Sequence, residues 1–130
     1  MTNPLNRRRF LQKAALGGAA LGAASLARPR KAVAANDKIR IGLIGAGGRG
    51  SWLARNTLKL DPAVELIAVC EVYEPRQRAG MDIAGGKATL FEDHRKLLEM
   101  KEIDAVIIAT PEHQHGTQLI DAVQAGKDVY

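Results

Sequence analysis

From Asp37 onward the apolar positions of the chain alternate between two rhythms. "KIRIGLI" is apolar and β-branched, which predicts a strand. "RGSWLARNTLKL" spaces Leu53 and Leu60 seven apart, and Ala54 and Leu58 four apart, as a helix requires, and Asp61-Pro62 ends it. "VELIAVC" is a second strand. "PRQRAGMDIAG" is a short helix with Pro75 at its start and Gly85-Gly86 past its end. "ATLF" is a weak third strand, and "DHRKLLEM" is a helix with Asp93 as N-cap. "DAVIIAT" is a nearly continuous apolar run, expected of a strand covered on both faces, and Pro111 stops it. "GTQLIDAVQAG" is a helix with Leu119 and Val123 on one face and Gly126 as its stop, and "KDVY" begins a fifth strand. Strands alternating with helices predict an α/β fold, a Rossmann-type doubly wound parallel sheet with right-handed crossovers.

The first 34 residues follow neither rhythm. A basic head, Arg7-Arg8-Arg9-Phe10-Leu11, precedes a weakly apolar run from Ala14 to Ala27 and a small-residue exit site, Ala32-Val33-Ala34. That layout is an export signal, and adjacent arginines before Phe-Leu match its twin-arginine type. Asn6 stands where that motif usually has Ser or Thr. The apolar run reaches roughly 21 Å as a helix, short of the ~30 Å of a bilayer core. Cleavage is expected after Ala34, with Ala27 and Ala35 as other candidate points; a basic tail or a lone amphipathic anchor is the rival reading. The expected partners and place are the twin-arginine machinery and the periplasm or another extracytoplasmic space, a route that carries proteins already folded around a cofactor.

The leader also explains the charge. The chain of 130 residues has a formal charge of +5, but residues 1–34 hold seven of its 19 Lys and Arg and none of its 14 acids. The remaining 12 bases face all 14 acids, a net of −2, so a nucleic-acid partner is not expected. The single cysteine, Cys70, excludes an internal disulfide and is read as a small buried strand residue.

Candidate chemistry begins at "IRIGLIGAGGRG", where Gly45, Gly47 and Gly50 fit G-x-G-x-x-G between a strand and a helix. Gly45 permits the turn, Gly47 lets a pyrophosphate approach the main chain, and Gly50 lets the helix pack on the first strand. The helix beginning at Gly48-Arg49 aims free N–H groups at phosphate, and Arg49 either adds charge or points to solvent. Glu71, at the end of the second strand, is placed to accept hydrogen bonds from the adenosine ribose. It favours NAD over NADP, although Arg76 and Arg78 lie nearby and are able to meet a 2′-phosphate.

"ATPEHQHG" follows the fourth strand, so Thr110, Pro111 and His115 are expected beside the nicotinamide half. His115 is the candidate contact; His113 has a surface or capping role. His94 falls on a separate helix expected to expose it, and no metal site is expected.

Together, "IGLIGAGGRG", "VCE", "IDAVIIATPEHQH" and "AGKDVY" resemble the glucose–fructose oxidoreductase / inositol dehydrogenase (Gfo/Idh/MocA) family over Lys38 to Tyr130. The resemblance implies a nicotinamide-dependent oxidoreductase of sugars, cyclitols or related polyols. By position it puts Gly45, Gly47 and Gly50 at the pyrophosphate, Glu71 at the adenosine ribose, and Thr110-Pro111 to His115 near the nicotinamide. It also implies a Glu-Lys-Pro motif and a second α/β domain carrying the catalytic residues, none of which occurs here. Lys127, before the fifth strand, is not that catalytic lysine and is expected to be solvated. Residues 35–130 are therefore read as a partial NAD(P)-binding domain of a longer enzyme, marginally stable and inactive alone, with homo-oligomers open to the parent protein. Two rivals stand beside this reading: an NAD-using glycoside hydrolase or lyase of the same family, and a non-catalytic dinucleotide-binding module.

Overall fold

In the computed structural model the described residues are 38–130; the leader read over 1–34 lies outside them. The first strand, β1 (Ile39–Ile44), runs straight into the glycine loop and then into α1 (Gly48–Leu60). The later elements follow the predicted alternation: β2 (Val64–Cys70), α2 (Glu74–Ile83), β3 (Thr89–Phe91), α3 (His94–Leu98), β4 (Ala105–Ile108), α4 (Glu112–Gln124) and β5 (Asp128–Val129). Asp93 caps α3 as expected, its carboxylate accepting from the Arg95 N–H at 3.0 Å. At the end of α4, Gly126 has φ 73°, and Lys127 N–H donates back to Ala122 O at 3.0 Å. That closure satisfies a terminal carbonyl and turns the chain into β5.

The five strands form one sheet in the order β3-β2-β1-β4-β5, with every neighbouring pair parallel. The chain winds outward from β1 through β2 to β3, then returns to the other side of β1 for β4 and β5. The direction of winding therefore reverses between β1 and β4, and the carboxyl ends of these strands flank the resulting crevice. Two apolar layers sandwich the sheet. One joins Leu43, Val69 and Ile107 to Ala54 of α1, with Met81 and Ile83 of α2 against it. The other joins Ile44, Ala68 and Val106 to Leu97 and Leu98 of α3 and Ala122 of α4. Coverage on both faces explains why β4 reads as an unbroken apolar run.

Three expectations need correction. The face of α4 carrying Leu119 and Val123 is exposed, as is Ile120; the helix buries Gln118 and Ala122 instead. A small residue lets α4 approach the sheet closely, and that gain outweighs burying the larger side chains on the opposite side. Leu60 of α1 is likewise exposed, while Ser51 and Ala54 face inward. Lys127 is not freely solvated: it is half-buried, and its ammonium donates to Met100 O and Ile103 O, both at 2.8 Å. Those carbonyls lie in the α3–β4 connection, so Lys127 ties that connection to the start of β5.

Candidate functional site

A cleft of about 280 Å³ opens at the carboxyl edge of the sheet, where the winding reverses. Its floor is Ile44-Gly45 from β1 and Ala109-Thr110 from the end of β4. Gly45 has φ 90°, a conformation that L side chains rarely adopt, and a Cβ there would lie 2.8 Å from the Ala109 carbonyl. Gly50 has no space at all: its Cβ would sit 1.9 Å from Gly45 O. Gly47 differs from both. It is the N-cap of α1 with an ordinary φ of −66°, and its Cβ would meet nothing nearer than the Arg76 guanidinium at 3.5 Å. Gly45 and Gly50 thus shape the loop, and Gly47 keeps the cleft empty above it.

Gly48, Arg49 and Gly50 form the first turn of α1, and the first bond closing that turn is Ser51 N–H to Gly47 O at 2.8 Å. Their amides precede the helical ladder and carry the positive end of its dipole. That dipole contributes only about 0.3–1 kcal/mol at an exposed site, so several N–H donors must act together on an anion. The Arg49 side chain stands apart from the cleft: its guanidinium lies 5.0 Å from the ring centre of exposed Trp52.

Glu71 lines the cleft but turns inward. Its Oε2 accepts from Ala46 N–H of the glycine loop at 3.0 Å. Its Oε1 accepts from Val72 N–H at 2.9 Å and Tyr73 N–H at 3.1 Å. With 9% of its surface exposed, this carboxylate braces the loop, a role the sequence reading did not assign it. A carboxylate offers about four acceptor positions, so three are used and room for about one ribose hydroxyl remains.

On the other wall, Thr110 Oγ donates to Gln118 Oε1 at 2.5 Å, and Gln118 Nε2 donates to Gln114 Oε1 at 3.1 Å. This relay leaves the Gln114 amide group at the cleft. Pro111 also lines the cleft, but His115 does not. The His115 ring turns back, its Nε2–H donating to Thr110 O at 2.6 Å, so it holds the β4–α4 turn. His94 departs furthest from expectation. It is half-buried at the cleft wall, with Nε2 2.8 Å from Asp121 Oδ2 on α4, and so clamps α3 to α4. Among the described residues no three His, Cys, Asp or Glu side chains converge as a metal site would need.

The sequence reading missed Gln114, Gln118 and Tyr73 as cleft residues. A usable signal exists for the glutamines: they are four apart on one helix face, in line with Ala122, and opposite the apolar positions that drew attention.

Cys70 sits at the cleft floor, and burial pushes its thiol up to about 12, with the nearby Asp93 and Glu71 charges adding to the shift. At pH 8 roughly one molecule in ten thousand then carries the thiolate. Labelling by iodoacetamide at pH 8 is expected to be at least about a hundredfold slower in the native chain than in denaturant. Comparable rates would show that Cys70 is open to solvent.

Comparison with known proteins agrees with this geometry. Residues 39–130 match the GFO_IDH_MocA family, described as "Oxidoreductase family, NAD-binding Rossmann fold". A glycosyl hydrolase family 109 protein of Stenotrophomonas maltophilia is 36% identical, over 94% of this chain and 28% of its own length. The scyllo-inositol dehydrogenase of Lactobacillus casei, solved with NAD(H) and scyllo-inositol, is 29% identical with a TM-score of 0.64, over 72% of this chain and 27% of its own. KijD10, a 3-ketoreductase of Actinomadura kijaniata solved with NADP and TDP-benzene, is 29% identical with a TM-score of 0.61, over 72% of this chain and 28% of its own. The chain thus spans less than a third of the length of these relatives. With its glycine loop, sheet order and family match in agreement, the chain belongs to the Gfo/Idh/MocA oxidoreductase family and carries that family's NAD-binding Rossmann fold.

Proposed function

We propose that this chain is the cofactor-binding part of an NAD-dependent oxidoreductase acting on a sugar, cyclitol or related polyol. The observation that carries the reading is Gly47: a side chain is sterically permitted there, yet the position is left bare beside the free amides of α1. A pyrophosphate laid over Gly47 meets the N–H groups of Gly48, Arg49 and Gly50, and Gly45 and Gly50 hold the loop that presents them. Glu71 fixes Ala46 and offers its remaining acceptor position to the adenosine ribose. Thr110 and Pro111, on the β4 side, border the nicotinamide half, with the Thr110–Gln118–Gln114 relay orienting the Gln114 amide toward it. When bound, the nicotinamide supplies hydride acceptance at its C4; this chain's residues bind it, orient it and keep one face dry. No side chain here is assigned as acid or base.

Calorimetric titration of the 130-residue chain with NAD tests the reading. Saturable one-site binding is expected, with Gly47→Val weakening it at least about tenfold while the melting temperature stays within about 3 °C. Absence of binding to the folded chain, or indifference to Gly47→Val, would sink the assignment.

A second reading is favoured by the 36% identity to a glycosyl hydrolase family 109 protein: glycoside cleavage in which NAD is reduced and reoxidised within one turnover. Release of free sugar without net NADH by the parent enzyme separates it from polyol oxidation. We also infer twin-arginine export, supported by Arg7-Arg8-Arg9-Phe10-Leu11 and the Ala32-Val33-Ala34 exit site. The 94% coverage by the Stenotrophomonas relative extends the similarity into this leader. Arg7→Lys with Arg8→Lys is expected to retain the full precursor in the cytoplasm, and periplasmic recovery of that variant would count against the route.

A further inference from the structure

We propose that the outer face of α1 is a contact site for an anionic lipid surface. The helix turns Gly50, Ser51 and Ala54 inward and leaves Arg49, Trp52, Arg55, Lys59 and Leu60 exposed. Those five positions fall on one side of the helix, along a stripe of about 16 Å. The helix carries three bases and no acid, whereas residues 38–47 and 61–130 carry nine bases against 13 acids. A basic face thus stands on an otherwise acidic domain. None of its three cations has a carboxylate within ion-pair distance among the described residues. Asp61, the next residue in the chain, turns its carboxylate to the Ala63 N–H at 2.8 Å.

Apolar groups sit among those cations. Trp52 is 55% exposed and Leu60 is 85% exposed. Trp52 takes no part in the core, which α1 reaches through Leu53, Ala54 and Leu58. The Arg49 guanidinium lies 5.0 Å from the Trp52 ring centre, so the indole and a cation share one place on the surface. A flat indole among long cationic stems matches the boundary between headgroups and acyl chains: ring and stems sink, and the charges stay with the phosphates. The face is a bare helix flank. Neither the cofactor cleft nor the hollow between α3 and α4 includes any of its side chains. A folded partner that used Trp52 as an anchor would have to supply the enclosing pocket itself, whereas a deformable lipid surface takes up each side chain where it stands. The occupant is therefore a bilayer with acidic headgroups, and α1 lies in its plane. Each Lys or Arg near such a surface strengthens binding about fivefold, so three together supply about a hundredfold over a neutral one.

The test uses the 130-residue chain and a variant combining Arg55→Glu with Lys59→Glu. The probes are vesicles of mixed phosphatidylglycerol and phosphatidylcholine, and vesicles of phosphatidylcholine alone. Trp52 is the single tryptophan of the chain, so its emission reports this face, and the basic leader carries none. On the anionic vesicles the native emission is expected to move to shorter wavelength, with the indole shielded from acrylamide and the effect fading as salt is added. The lipid concentration at half-maximal shift is expected to rise at least about 25-fold in the variant. Its melting temperature should stay within about 3 °C of the native chain, because both side chains are exposed. Vesicle binding with the emission unmoved, or a shift that the variant retains, would assign the contact to the leader and overturn the proposal. An equal shift on neutral vesicles, or none on either, would overturn it as well. If soluble polyglutamate moved the emission as far as the anionic vesicles do, the partner would be an acidic protein and the lipid proposal would fall.

Discussion

Gly50→Ala is expected to be the most damaging single substitution in the described domain. The added methyl would sit 1.9 Å from Gly45 O, 3.1 Å from Gly45 C and 3.2 Å from the Ala109 Cβ. The obstacle is main chain at a position where φ is already 90°, so it has little freedom to retreat. Overpacking a core by one methyl costs about 1–3 kcal/mol when side chains give way. Here α1 must lift from β1, separating Ala54 from the layer it shares with Leu43 and Val69. A cost of about 3 kcal/mol or more is expected, a large fraction of the stability of a small domain. In a thermal melt followed by circular dichroism, that corresponds to a fall of at least about 12 °C. A melting temperature within about 2 °C of the native chain would show that the loop tolerates a side chain, and the account of its packing would fail. Gly47→Val, whose Cβ would make only ordinary van der Waals contact with the Arg76 guanidinium at 3.5 Å, is the matched control within the same motif.

The second large effect concerns Glu71. Its replacement by Ala strands three N–H donors, those of Ala46, Val72 and Tyr73. An unmet buried donor costs about 1–3 kcal/mol, and water can reach Val72 and Tyr73, which are exposed. The Ala46 amide, beside a buried side chain, bears most of the penalty. A total of about 3 kcal/mol is expected for Glu71→Ala, and less for Glu71→Gln. The Gln oxygen still accepts, but its amide group faces a donor. Affinity for NAD and NADP should fall together, because the glycine loop itself loses its brace. Melting curves and titrations on the same samples decide between roles. Unchanged stability with a selective gain in NADP affinity would return Glu71 to the role of a simple filter at the ribose.

These two residues show how far the sequence reaches. The motif spacing identified Gly45, Gly47 and Gly50 and paired them with Glu71; Gly45, Gly47 and Glu71 line one cleft, and Gly50 is buried against Gly45. The spacing could not divide their labour. Gly50 and Gly47 look alike in a motif, yet one is forced by a contact at 1.9 Å and the other by nothing in the protein itself. Arg49 and His115, candidates on the same motifs, hold instead to Trp52 and to the Thr110 carbonyl. Gln114, inside the Thr-Pro-x-His-x-His stretch but not singled out there, and Gln118, beyond it, line the cleft, as does Arg76, which the sequence reading had weighed only against a 2′-phosphate.

The alternation of strands and helices, the Asp93 cap, the Gly126 stop and the turn at Gly45 were determined by the sequence alone. Each depends on periodicity or on the conformational preference of one or two adjacent residues. Tertiary structure alone decided which side of α4 is buried, where the Glu71 carboxylate points, and that His94 and Lys127 act as ties. The hydrogen bonds that settle those last three join residues 24 to 27 positions apart. They exist only once the sheet has brought its strands side by side, because a side chain's partner is set by the packed neighbours that compete for it.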